Sequence, residues 1–240
     1  MDIGAFSIRR LFGKRPAQAP KPLAGSLRTE NPTERNMDKR LFIKLFLSFI
    51  AATIIGTLSH EFGHYIVAKY QGYDASINYR ATFASSPDPN NPIVPNSSIA
   101  MTLGGPIQTM LTGTIGLILL FFYRKNFYQA AKLSLGQWLI IFLSLFWLRQ
   151  TANFCTWLGG YFLNGNFSSH GDEIRIANYF DFPTWTVISI TAIIGAFVLA
   201  IITFKFIPSR QRTTFLTAGL FGGIAGFYFW LIQFGKYIMP

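Results

Sequence analysis

Half of the 240 residues are apolar, 25 are Phe and only 13% are charged, where a soluble domain carries about 25% charged residues. That composition excludes a water-soluble globule and implies lipid as the solvent. The net charge of +11 could suit nucleic acid, but the basic residues lie between apolar segments, where they set topology, so no nucleic-acid partner is expected.

Residues 1–40 stand apart, with nine Lys or Arg and prolines at 16, 20, 22 and 32. They read as a flexible basic N-terminal tail. Its first fifteen residues suit either a short amphipathic helix on anionic lipid, with Ile3, Phe6 and Leu11 on one side, or plain disorder. No apolar stretch follows the early charges closely enough to make a signal peptide of the usual form.

Five apolar segments follow, at about 41–68, 99–123, 133–158, 183–206 and 214–235, each long enough for the roughly 20 residues of a bilayer-spanning helix. The chain is therefore expected to be an all-α, multi-pass membrane protein. Between the first two spans, Ser76-Ile77-Asn78-Tyr79-Arg80-Ala81-Thr82-Phe83 alternates like a short strand, ahead of turn signals at Pro87, Pro89, Pro92 and Pro95. In the third span Arg149, Gln150 and Asn153 form a polar end suited to a cavity, and the lone Cys155, which excludes an intrachain disulfide, reads as a buried packing residue.

If the spans alternate, the tail cations fall on one side together with Arg124, Lys125, Lys132, Lys205, Arg210 and Arg212. The other side receives only Lys69, Arg80, Arg149, Arg175 and Lys236. This bias puts the N-terminus in the cytoplasm and residues 71–98 and 159–182 together on the far side.

His60-Glu61-Phe62-Gly63-His64 carries the chemistry. Positions i and i+4 share a helix face, so His60 and His64 can reach one metal ion, zinc by their type, and Glu61 is placed to act as general base on a water that the metal activates. Such residues are costly in or near lipid and usually mark function. Two spans later, on the same membrane face, the segment 168–176 holds three competent third ligands: His170, Asp172 and Glu173. Asp172 leads among them; Ser169 and Asp172 would also suit a helix N-terminus.

Together, His60-Glu61-Phe62-Gly63-His64, the strand-like loop, Gly104-Gly105-Pro106 and Gly171-Asp172-Glu173-Ile174-Arg175-Ile176 resemble the site-2 protease family of intramembrane zinc metalloproteases. The likeness covers roughly residues 45–180. It implies Zn²⁺ held by His60, His64 and Asp172, Glu61 as general base, a three-helix catalytic core and a substrate paired along residues 71–98. There are two departures from the family pattern: Gln108 and Thr109 stand where the family usually has Asn, and Glu173 follows Asp172 where it has Gly, with no Asn-Pro ahead. The implied organisation is a tail (1–40), a metalloprotease-like membrane core (41–182) and two additional transmembrane helices (183–240).

Other features admit blander readings. Gly104-Gly105-Pro106 would let helices approach, with the Pro in a first turn. Gly219, Gly222, Gly223 and Gly226 suit packing within the monomer. Gln150 and Asn153 would orient an oxyanion or bond between helices. The expected function is a zinc-dependent intramembrane endopeptidase acting on a transmembrane protein substrate in the lipid bilayer, taken to be a bacterial cytoplasmic membrane. The competing functions are a metal-dependent hydrolase of a lipid or other amide, and a non-hydrolytic metal-binding protein that recognises transmembrane partners. Glu61 argues against the last, because binding needs only the ligands.

Overall fold

The computed structural model describes residues 37–88 and 98–240; the basic tail, apart from its last four residues, and Pro89, Pro92 and Pro95 lie outside the described residues. Five helical stretches among the described residues are long and apolar enough to cross a membrane: 39–70, 99–122, 135–164, 185–206 and 209–238. Their boundaries match the apolar segments of the sequence to within two residues, except that the third span runs on to Asn164 and the fifth extends from Ser209 to Ile238. The chain is a multi-pass membrane protein.

Each span begins or breaks for a local reason. The first, α1 (Lys39–Tyr70), starts where the Asp38 carboxylate accepts from the amides of Arg40 and Leu41, both at 3.1 Å. At 32 residues it is about 48 Å long, more than the roughly 30 Å of hydrocarbon, so it must tilt or project from the bilayer. Span two is α2 (Ile99–Phe122), capped by Ser98. Pro106 lies well inside it and is buried, rather than in the first turn. Here the proline deprives the Thr102 carbonyl of its usual helical donor.

A short helix, α3 (Arg124–Tyr128), leads to span three, which is two helices in line. Its first part, α4 (Leu135–Ser144), opens on a capping box in which the Ser134 hydroxyl accepts from the Gln137 amide and Gln137 Oε1 accepts from the Ser134 amide, while Gln137 Nε2 donates to the Asn126 carbonyl. A tight turn, Leu145–Trp147, then joins α5 (Leu148–Asn164). Gly165, at φ 74°, ends α5 in the left-handed conformation that glycine adopts freely. After α6 (Asp172–Tyr179) come α7 (Trp185–Ile201) and α8 (Ser209–Phe227), both ending in wider, π-type turns, and a last turn, α9 (Gly235–Ile238).

The strand-like loop is a hairpin of two strands rather than one: β1 (Asp74–Ile77) pairs antiparallel with β2 (Thr82–Ser85), Ile77 opposite Thr82. The alternating pattern continues through the turn, but the Asn78 side chain accepts from the amides of Arg80 and Ala81 at 3.0 Å and folds the chain back. The last span holds the tip of this hairpin. Trp230 donates its indole N–H to the Tyr79 carbonyl at 2.8 Å, and the Tyr79 amide donates to the Met239 carbonyl at 3.0 Å.

α1 is the central element, packed between α2 and α8, while α5 packs on α7 and α2 on α4 and α6. The apolar core, which includes Phe49, Leu120, Trp138, Ile141, Phe206 and Phe215, fills the ends of the spans remote from the hairpin. Outward-facing residues such as Ile43, Leu47, Ile55 and Ile66 on α1 are large and apolar, as a lipid-facing surface requires. Cys155 is on this outer surface, not in the packed interior. Of the glycines in α8, Gly219, Gly222 and Gly226 lie against Phe49, Phe46 and Thr53 of α1, whereas Gly223 faces open space.

Candidate metal centre

On α1, His60 and His64 project from successive turns and are buried, 1% and 8% exposed. Two backbone approaches make room for them. Gly63 and Gly104 bring α1 and α2 so close that a Cβ on either would meet the other's carbonyl oxygen. Gly105 lies directly beneath the imidazoles, where a Cβ would collide with both Nε2 atoms. The glycines before Pro106 thus do more than pack helices: the bare backbone of α2 forms the floor of the site.

The Nε2 atoms of His60 and His64 are 3.2 Å apart. Asp172, the first residue of α6, places Oδ2 at 2.9 Å from His60 Nε2 and 3.2 Å from His64 Nε2. Two spans after the His pair, the chain has returned to the same face, as alternation predicts. Burial pushes the Asp172 carboxyl up, but its hydrogen bonds with His60 and His64 outweigh that and hold it well below the usual carboxylate range. His64 Nδ1 lies 2.7 Å from the Met101 carbonyl, which would keep a proton on Nδ1 and free the Nε2 lone pair for a bound metal. His60 Nδ1 is buried with no hydrogen-bond partner.

The three atoms fit a metal ion. A tetrahedral zinc with bonds of about 2.0–2.1 Å has ligand–ligand edges of about 3.3 Å. The observed edges of 2.9, 3.2 and 3.2 Å come near that size. His60, Glu61 and His64 also offer ligand atoms within 4.8 Å of one another. The set with Asp172 is tighter, and Glu61 is engaged elsewhere.

Glu61 is buried at the edge of this cluster. The Thr82 hydroxyl, at the start of β2, donates to the Glu61 carbonyl at 2.7 Å and lies 3.2 Å from its carboxylate. Arg149 Nη2 is 3.9 Å from the carboxylate's other oxygen. Of the other candidate third ligands, Glu173 is buried and accepts from Asn153 Nδ2 at 2.9 Å, while His170 is exposed with Nδ1 beside the Ser169 hydroxyl. Burial raises the Glu173 carboxyl above its ordinary range, against the hydrogen bond from Asn153.

A cavity of about 690 Å³ opens onto the cluster, bounded by β2, by Arg149 and Asn153 of α5, and by residues 170–175. The outer edge of β2 makes no backbone hydrogen bond among the described residues. Two of the three residues at the polar end of the third span, Arg149 and Asn153, therefore line this cavity, as the composition suggested, whereas Gln150 does not. Sequence reasoning missed three things here: Arg149 beside Glu61, Thr82 beneath it, and Asn153 bonding to Glu173. Gln150 is buried with both amide atoms unpartnered, and Gln108 bonds to Ser59 at 2.6 Å.

No protein-family model, curated protein or solved structure matches this chain.

Proposed function

We propose that this protein is a zinc-dependent intramembrane endopeptidase, similar to the site-2 proteases, that hydrolyses a peptide bond in or near a transmembrane segment. The observation that carries the reading is the convergence of His60 Nε2, His64 Nε2 and Asp172 Oδ2 within 3.2 Å of one another beside the Glu61 carboxylate. His60, His64 and Asp172 would hold the metal. Zinc, when bound, supplies Lewis-acid polarisation of a carbonyl and of a water molecule. Glu61 takes a proton from the water as its oxygen bonds to the carbonyl carbon, then passes that proton to the departing nitrogen as the C–N bond breaks. The products are a carboxylic acid and an amine, and the acid's proton passes to the amine to leave a carboxylate and an ammonium.

A peptide must be extended to be cut, and a helical substrate has its backbone groups internally paired. The free edge of β2 beside the cavity offers the partner an unwound segment needs, with main-chain hydrogen bonds replacing those of the helix. Charge distribution supports a cytoplasmic N-terminus, which puts the site toward the opposite face, and we read the membrane as a bacterial cytoplasmic membrane.

The test is metal analysis and proteolysis on the full chain purified in detergent. Intact protein is expected to retain zinc stoichiometrically and to cleave fluorescein-labelled casein. Ala at His60, His64 or Asp172 should lose the metal, and Glu61→Gln should keep it while losing cleavage. An intact chain without zinc sinks the proposal, and loss of zinc from Glu61→Gln overturns the division of roles.

A further inference from the structure

Three arginines line the cavity, Arg80, Arg149 and Arg175, and of these Arg149 alone is not exposed and lies beside Glu61. The Arg149 side chain is 26% exposed, and Nε is fully buried without a partner. None of its donors makes a hydrogen bond among the described residues; its nearest anion is Glu61, at 3.9 Å. A buried arginine kept for structural charge pairing normally meets a carboxylate in a two-pronged hydrogen bond at less than 3 Å.

Here every neighbouring carboxylate is taken. Asp172 faces the two histidines, Glu173 accepts from Asn153, and Glu61 faces the Thr82 hydroxyl. The four N–H groups on Nη1 and Nη2 are thus left for a guest in the cavity that Arg149 lines. Gln150, the next residue, is 1% exposed and does not line the cavity, and the Thr151 hydroxyl donates to the Ala192 carbonyl. Asn153 is occupied by Glu173.

The geometry points to Arg149 as the oxyanion-binding residue: its guanidinium donates to the oxygen of the scissile carbonyl as that oxygen gains negative charge. The inference rests on the hydrolytic reading above. A preplaced donor acts most strongly where charge develops, so the interaction is stronger in the transition state than with the neutral carbonyl. Its position beside Glu61 is also consistent. The water oxygen that Glu61 deprotonates and the carbonyl oxygen it drives to negative charge belong to one tetrahedral centre, within reach of both side chains.

The probe is a phosphonamidate dipeptide, a tetrahedral anion, titrated by calorimetry against the zinc-loaded full chain in detergent. Arg149→Gln should weaken the Kd by about 10²–10³-fold, and Arg149→Lys, which keeps the charge but not the fork, by roughly tenfold. Zinc content should be unchanged in both. Millimolar guanidinium should restore part of the probe affinity of Arg149→Ala, which a merely structural role would not allow. Equal affinity of intact and Arg149→Gln protein, or no binding by a zinc-loaded intact chain, overturns the assignment and leaves the metal centre standing. If Arg149→Gln raises the KM for casein with kcat unchanged, the guanidinium anchors a fixed anion of the substrate, and the assignment again fails. An intact chain without zinc fails the hydrolytic reading itself.

Discussion

At Phe49, α1 meets its neighbours through rings: Phe142 stands edge-on at 4.9 Å between centroids, and Phe215 tilts against it at 5.5 Å. About four turns further along, at Gly63, the same helix meets α2 through bare backbone, with no side chain between the two chains. The aromatic end fills volume and holds the bundle together; the glycine end removes volume so that two imidazoles and a carboxylate can converge. In lipid, where burying apolar surface gives no advantage, both ends depend on close contact, one by adding atoms and one by omitting them. Stability and chemistry are thus separated along one helix, and substitutions at the two ends should fail in different ways.

The largest effect is expected at the aromatic end. Phe206 is 1% exposed and packs edge-on to Phe121 and Phe127; Phe206→Ala should cost about 3–5 kcal/mol in thermal or denaturant unfolding in detergent, with the zinc affinity of the surviving folded protein unchanged. At the glycine end the pattern inverts. Gly105→Ala pushes a methyl into both histidines and should weaken zinc by about 10–100-fold, read by competition with a chelator, while helicity by circular dichroism stays intact. If Gly105→Ala binds zinc normally, the floor of the site is not where the packing places it.

Gly222→Ala lies between these cases. Its methyl would meet the Phe46 carbonyl and Phe49 Cβ at 2.7 and 2.8 Å, so α8 must shift from α1 at a cost of about 1–2 kcal/mol, with no effect on zinc. Thr82→Val deletes the hydroxyl that fixes Glu61 and should lower casein cleavage about fivefold, equivalent to about 1 kcal/mol, without changing metal content. Smallest of all, Cys155→Ser on the outer surface should shift unfolding by no more than about 0.5 kcal/mol.

Much of this architecture can be read without coordinates, because hydropathy over some twenty residues and the i, i+4 spacing of His60 and His64 are local properties. Asp172 is within reach of the same reasoning, since counting membrane crossings returns it to the histidine face. Arg149 is not. A basic residue near the end of an apolar segment reads equally well as a boundary marker, and only the helical phase of α5 against α1 turns it toward Glu61. Thr82 is hidden for a related reason: the alternation of 76–83 suits one strand as well as two, and the Asn78 turn decides which residue comes to rest beneath the carboxylate. Cys155 shows the converse error, an apolar neighbourhood in sequence that faces outward in space.

The grip of the last span on the hairpin has a mechanical consequence. A hairpin fixed only at its base is a cantilever, free to swing aside; this one is also pinned at its tip, by Trp230 and Met239 on either side of Tyr79. Swinging the β2 wall away from the cavity would break two hydrogen bonds, of 2.8 and 3.0 Å, at a cost of about 1 kcal/mol each. The wall therefore behaves as a braced fence rather than a flap, and its stiffness is set by residues some 150 positions away in the chain.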